Sequence, residues 1–352
     1  MSLDICRTSA SSRGTPSTPA PRWLSAAAEL VAPELERAIS TLHPDIARMA
    51  RYHKGWADRD GRPVTGRPHG KGVRPALALW SAQAAGADPR AGMAAAVAVE
   101  LVHDFSLLHD DIMDNDLLRR GRPTAWHVYG LGPAVLLGDT LHALAQQILA
   151  DREPHGAAAA ARLAQGVVEL CRGQAADLEF EHRDRATVPE YLAMVKGKTC
   201  ALMRCATTLG AILAGADTMV IAELQRLGGH LGLLFQIVDD LLGVFGNPEV
   251  TGKPVGSDLA RRKKTLPILA ALTSSSVAGK ELADLLRLPT LSDRDLSHAA
   301  DLVKRAGGST RAEQEYAQQH QQARLALARL DLPDDIDRRL RELLEFLTSR
   351  TT

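Results

Sequence analysis

The chain has 352 residues, 45% of them hydrophobic, and its 42 Lys and Arg balance 42 Asp and Glu. That is enough apolar material for one large core or two modest ones. The balanced charge removes the basic excess of a general nucleic-acid binder, so any charge-driven chemistry is local and no nucleic-acid partner is expected.

Only 4% of residues are aromatic. Alanine and leucine abound and β-branched runs are scarce, so intrinsic preference predicts an all-α protein. The opening MSLDICRTSASSRGTPSTPAPRW is dense in Ser, Thr and Pro and lacks the apolar h-region of a secretory signal. Residues 1–21 read as a disordered tail ahead of a single helical domain over 22–352. Cys6, Cys171, Cys200 and Cys205 form no CxxC pair, which points to reduced thiols and a cytoplasmic protein. No apolar run reaches the length of about eighteen residues that spans a bilayer.

From about Trp23 onward helical periodicity recurs between Gly/Pro breaks. GRPVTGRPHGKGVRP, residues 61–75, is expected to be a loop. On a helical wheel of residues 100–114, Leu101, Phe105, Leu108 and Ile112 share one face, and His103, Ser106, Asp110 and Asp114 the opposite one. Residues 227–243 repeat the arrangement, with Leu227, Leu231, Leu234, Val238 and Leu241 as the apolar stripe and Gln236 and Asp239 together elsewhere. FGNPEVTGKPVGSDL, residues 245–259, reads as a mobile flap, and SDRD, residues 292–295, separates the last helices. In LPDDIDRRL, Asp334 and Asp335 follow Pro333 as at a helix start, with Arg338 and Arg339 four residues on as ion-pair partners. That acidic pair needs no function.

Asp110 and Asp239 are different, because they interrupt the very apolar stretches LLHDDIM and IVDDLL. An isolated ionised carboxylate is costly there, and several together push one another's pKa upward unless cations sit among them. Mg²⁺ takes one or two carboxylates per ion and completes its shell with waters and phosphate oxygens. Asp110 and Asp114 stand one turn apart, a rise of roughly 6 Å, which suits two carboxylates gripping adjacent ions. Asp239 on a facing helix would hold a third. Arg119 and Arg120 then supply donors that match phosphate oxygens in pairs.

In order and spacing, from about Gly70 to about Pro267, the sequence resembles the trans-isoprenyl diphosphate synthases, which elongate allylic diphosphates with isopentenyl diphosphate. The resemblance rests on DDxxD, four residues and RRG at Asp110, Asp111, Asp114, Arg119, Arg120 and Gly121, and on GQAADL, KGKTC, FQIVDD and TGKPVGSDL. It implies an isoprenoid-synthase-type helical bundle around a central cavity, and an Mg²⁺-dependent enzyme with three ions per site. Asp110, Asp111, Asp114, Asp239 and Asp240 would be the metal ligands. Arg119 would bind the allylic diphosphate, and Arg120 would join Lys71, Arg74 and His103 on the metal-free diphosphate of isopentenyl diphosphate. Gln174 and Asp177 would line the cavity. Lys198 would touch the allylic diphosphate, Thr199 would face the reacting carbons, Gln236 would stand beside Asp239, and Lys253 would close over the phosphates.

Three departures stand out: Gly243 replaces the third aspartate of the second acidic motif, Gly72 replaces a basic residue after the loop lysine, and RRKKTLP replaces the commoner GKxT. Phe105 and Ser106, five and four positions before the first motif, are where such enzymes floor the chain pocket. They resemble the short-chain geranylgeranyl type, with a C20 product favoured and C15 next. The reaction implied is ionisation, condensation and elimination, in a homodimer. Two rival readings are a class I terpene cyclase, which would not need Lys71, Arg74, His103 or Arg120, and a noncatalytic regulatory subunit, suggested by Gly243.

Overall fold

The structure, a computed structural model, describes residues 21–64, 72–183, 185–246 and 256–348. Lys71, Lys253, most of the expected flap and all but Pro21 of the expected tail lie outside the described residues. Helix α1 (Arg22–Ser40) buries Leu24, Ala27, Val31, Leu35 and Ile39 at three- and four-residue spacing, the stripe that lays a helix on a core. After α2 (Pro44–His53) and α3 (Val73–Ala84) comes α4 (Met93–Met113), which is buried over most of its circumference and therefore sits inside the bundle. Among the described residues the only strands are the two-residue pair β1 (Leu118–Arg119) and β2 (Arg122–Pro123), which are antiparallel. Then follow α5 (Ala125–Tyr129), α6 (Leu131–Ala150), α7 (Gly156–His182), α8 (Val188–Lys198), α9 (Cys200–Leu213) and α10 (Thr218–Phe245). The chain ends in α11 (Ser257–Ala260), α12 (Leu266–Leu272), α13 (Val277–Leu285), α14 (Asp293–Arg305), α15 (Gly308–Ala328) and α16 (Asp334–Thr348).

The all-α expectation holds. Helix α4 packs on α3, α6 and α9, and α10 packs on α9 and α15, so the two acidic motifs ride on helices fixed by a shared core. A smaller apolar cluster of Val244, Leu259, Ile268, Leu282 and Leu302 joins the end of α10 to α11–α14. Trp80 ties α16 to α3 by donating its indole N–H to the Ile336 carbonyl at 2.9 Å.

Some local expectations are corrected. The loop over 61–75 ends sooner, because α3 starts at Val73 with Pro75 in its first turn, where a missing N–H leaves no helical bond unmade. SDRD is a helix start as well as a break: Ser292 and Asp295 cap α14 reciprocally. Two helical stretches, Pro89–Met113 and Thr218–Phe245, are long and apolar enough to cross a membrane by length and composition, contrary to the reading of apolar runs. Their most apolar windows are 67% and 61% buried inside the bundle, so that apolarity serves the core. Asp334 does begin a helix, and Asp335 pairs with Arg339 at 3.9 Å.

Candidate active site

The end of α4 and the facing sides of α7, α8 and α10 enclose a cavity of about 880 Å³, lined by Asp114, Asp177, Lys198, Thr199, Gln236 and Asp239 among others. Asp114 closes α4 as its C-terminal cap, one turn beyond Asp110. Asp110 is not among the residues that line the cavity. Burial raises its carboxyl to about 6; Lys198 and Arg119 oppose the rise, and Asp114 and Asp177 add to it.

Two motif glycines explain how Lys198 gets there. Helices α7 and α8 cross at Gly173 and Gly197, where a Cβ on Gly197 would stand only 2.8 Å from the Gly173 Cα. That close approach brings Lys198 Nζ within 2.6 Å of Asp177 Oδ2. Burial lowers the Lys198 pKa, but Asp110 and Asp177 outweigh it and the net shift is upward, so the ammonium stays charged.

Beside it runs a hydrogen-bonded chain. Thr199 donates its hydroxyl proton to Gln236 Oε1 at 2.8 Å, and Gln236 Nε2 donates to Asp240 Oδ1 at 3.0 Å. Asp240 Oδ2 accepts from the Tyr191 hydroxyl at 2.5 Å and from the Leu266 backbone N–H at 3.0 Å. Asp240 is 1% exposed, and burial raises its carboxyl to about 7 against the pull of these hydrogen bonds. Both Asp240 oxygens thus take hydrogen bonds from the protein, and the residue, which lines the acidic cavity together with Asp239, ties α8, α10 and α12 to one another. Tyr191 escaped the sequence reading because VPEYLAMV looks like ordinary core helix.

Asp111 is a buried carboxylate whose Oδ2 has no hydrogen-bond partner among the described residues. It is 1% exposed and its Oδ1 accepts from Arg119 Nε at 2.7 Å, which makes it the anchor of that guanidinium. The hairpin places the arginines: Arg120 and Gly121 form its two-residue turn with φ of 52° and 74°, the doubly positive pattern that favours glycine.

A separate cavity of about 440 Å³ is lined by Arg74, His103, Arg120, Lys54, Glu100 and Asp104, among others. Arg74 Nη1 lies 3.3 Å from His103 Nε2, and burial, followed by Arg74, holds the imidazole well below its usual pKa. Gly72 has a physical reason here: its φ is 65°, and a Cβ would stand 2.6 Å from the Leu24 carbonyl oxygen. No larger residue fits without moving α1.

Neither Phe105 nor Ser106 lines the acidic cavity. Phe105 packs edge-on to His109 and stacks on His142 of α6, at centroid distances of 4.8 and 5.3 Å. Ser106 bonds the His103 carbonyl at 2.8 Å. Gln174 is buried, and neither atom of its amide has a hydrogen-bond partner among the described residues. Sequence reasoning also missed Asp258. A Cβ on Gly243 would fall inside the Asp258 carboxylate, so that side chain, which also lines the acidic cavity, fills the space left by the absent third aspartate.

Among the described residues no three acidic, His or Cys groups converge as a ready-made metal cage. Carboxylates from several helices around the cavity, with the Asp110 carboxyl raised by burial, fit a divalent cation that takes one or two protein oxygens and finds the rest on phosphate and water.

An all-helical bundle with paired acidic motifs over one cavity and a basic pocket beside it defines a diphosphate-handling class. The polyprenyl synthetase family model matches residues 64–303. A farnesyl diphosphate synthase of Mycobacterium tuberculosis is 44% identical over 332 residues, 93% of this chain and 92% of that protein. A geranylgeranyl diphosphate synthase of the same organism is 48% identical over 307 residues, 86% of each. The crystal structure of a polyprenyl synthetase from Streptomyces coelicolor superposes with a TM-score of 0.90 at 43% identity, covering 94% of this chain and 99% of that one. The chain belongs to the polyprenyl synthetase family.

Proposed function

We infer that the protein is a trans-prenyltransferase that condenses isopentenyl diphosphate with an allylic diphosphate, releasing pyrophosphate. The observation that carries this is the pairing of an acidic cavity, lined by Asp114 of α4 and Asp239 of α10, with a separate basic pocket holding Arg74, His103 and Arg120. One pocket takes the diphosphate that leaves, and the other takes the one that stays.

Asp110, Asp114 and Asp239 would hold Mg²⁺, three ions by family likeness, and the metal would supply Lewis-acid neutralisation of the leaving diphosphate. Lys198, held by Asp177 in the acidic cavity, and Arg119, held by Asp111 in a smaller cavity of about 100 Å³, would bring positive charge to the leaving diphosphate. Thr199 spends its proton on Gln236, which leaves its oxygen lone pairs for the positive charge that develops as the allylic C–O bond breaks. Asp240 and Tyr191 keep Gln236 in that orientation. The apolar helices exclude water, so the cation meets the isopentenyl double bond, and the departed diphosphate removes the proton.

The relatives make C15 and C20 products at comparable identity, so identity alone does not select one. We propose a C20 product, with Phe105 acting outside the acidic cavity, where it packs on His109 and on His142 of α6, and a homodimer formed through α6 and α7, whose Leu131, Leu136 and Val168 are 57%, 55% and 60% exposed. The test is to incubate the protein with Mg²⁺, labelled isopentenyl diphosphate and each allylic primer in turn, then measure product length. Geranylgeranyl diphosphate is the expected end point. A cyclic hydrocarbon from geranylgeranyl diphosphate alone would instead mark a cyclase.

A further inference from the structure

The basic pocket contains a puzzle. Glu100 and Asp104 of α4 line it beside Arg74 and Arg120, although a pocket for a diphosphate has no use for two carboxylates. Left alone they would cancel the field of the two arginines, because His53 and His103 are neutral: burial and the neighbouring cations push His53 down to about 3, and His103 is lowered in the same way.

Lys54 resolves it. Its Nζ lies 3.0 Å from Asp104 Oδ2 and 3.3 Å from Glu100 Oε2, and 5.8 Å from the centre of the Trp56 ring. Burial disfavours the ammonium, but Asp104 and Glu100 outweigh it and the pKa is raised, so the cation persists. An ammonium has three N–H donors. Two carboxylates take two of them, and the residue lines both the basic pocket and the smaller cavity that holds Arg119 and Arg120.

We propose that Lys54 is a further substrate-binding cation of this pocket: it neutralises Glu100 and Asp104 and turns its remaining N–H toward the diphosphate of isopentenyl diphosphate. Among the described side chains that line the pocket, three cations then face two carboxylates; without Lys54 that count falls to two against two. The proposal rests on the assignment of this pocket to isopentenyl diphosphate.

Calorimetric titration of the purified protein with isopentenyl diphosphate, without metal or allylic primer, tests it. Lys54→Met keeps the stem and removes the charge, and binding is expected to weaken by about tenfold or more, as for a lost charge-assisted hydrogen bond. In steady-state kinetics the KM for isopentenyl diphosphate rises in step while that for the allylic substrate stays within about threefold, a split that loosened packing would not produce. Because Lys54→Met strands two buried carboxylates, Lys54→Met/Asp104→Asn is measured beside it; restoring the charge balance should recover part of the affinity. Arg120→Met serves as the control for the pocket. If Arg120→Met weakens binding while both Lys54 variants bind as the unaltered protein does, Lys54 has no such role. If none of the variants moves the constant, the pocket is misassigned and the proposal falls with it.

Discussion

Burial and the crowding of Asp114 and Asp177 bring the Asp110 carboxyl to about 6, a shift that the proposed cations would relieve. Position 243 is subtler. The family's missing acid is replaced in space by Asp258, which comes from a different helix. Gly243→Asp is therefore expected to lower turnover by about tenfold, because the new side chain and Asp258 compete for one volume at a typical overpacking cost of ~1–3 kcal/mol. Asp258→Gly in the same chain should recover most of the loss, read as turnover against Mg²⁺ concentration. A Gly243→Asp variant that works as well as the original would show that the two carboxylates do not share that space. Which groups hold each aspartate pair was not legible in sequence. Neighbouring helical residues differ by about 100°, and the groups that claim Asp111 and Asp240 come from Arg119 and from Tyr191, the latter 49 positions away. The motifs themselves were legible because charge interrupted apolar sequence.

Helices α7 and α8 touch through glycine, and that contact sets the reach of Lys198. A Cβ on Gly173 would overlap the Lys198 backbone N, so Gly173→Ala must spread the two helices. Activity is expected to fall more than about tenfold, since a displacement of about 1 Å at a reacting centre is enough for such losses, and the melting temperature should drop by several degrees. Gly132→Ala on α6 is the contrast: nothing stands within 4 Å of its Cβ, and alanine favours a helix by ~1 kcal/mol, so stability should hold or rise. Equal behaviour of the two variants would contradict the crossing. The helices were readable from periodicity alone, but the role of these glycines was not, because closeness between α7 and α8 is a property of packing. The short α11 and the β1–β2 turn had no periodicity to betray them.

Across the whole molecule, buried histidines and buried carboxylates pull the pH dependence of stability in opposite directions. His53, at about 3 in the fold and 6.5 when free, binds fewer protons folded than unfolded, so its contribution is present above 6.5 and is lost as pH falls from there toward 3. Asp240, at about 7 against 3.8, works the other way: its contribution is lost as pH rises through 7. His53→Gln should therefore gain on the unaltered protein as pH is lowered from 7 to 5, approaching ~1.4 kcal/mol per pH unit, in denaturant midpoints. A pH-independent difference would mean that His53 is not held neutral. The architecture as a whole was foreseeable from composition and periodicity, whereas the charge balance around Lys54, assembled from α2, α3, α4 and the hairpin, exists only once the bundle closes. The proposed chemistry depends on acidic groups from α4 and α10 serving one leaving diphosphate. Pyrophosphate release from a labelled allylic diphosphate, with Mg²⁺ and isopentenyl diphosphate present, should fall by about 10³-fold or more in Asp110→Ala and in Asp239→Ala while both variants melt as the parent does. Near-parental release by either variant would contradict the shared site.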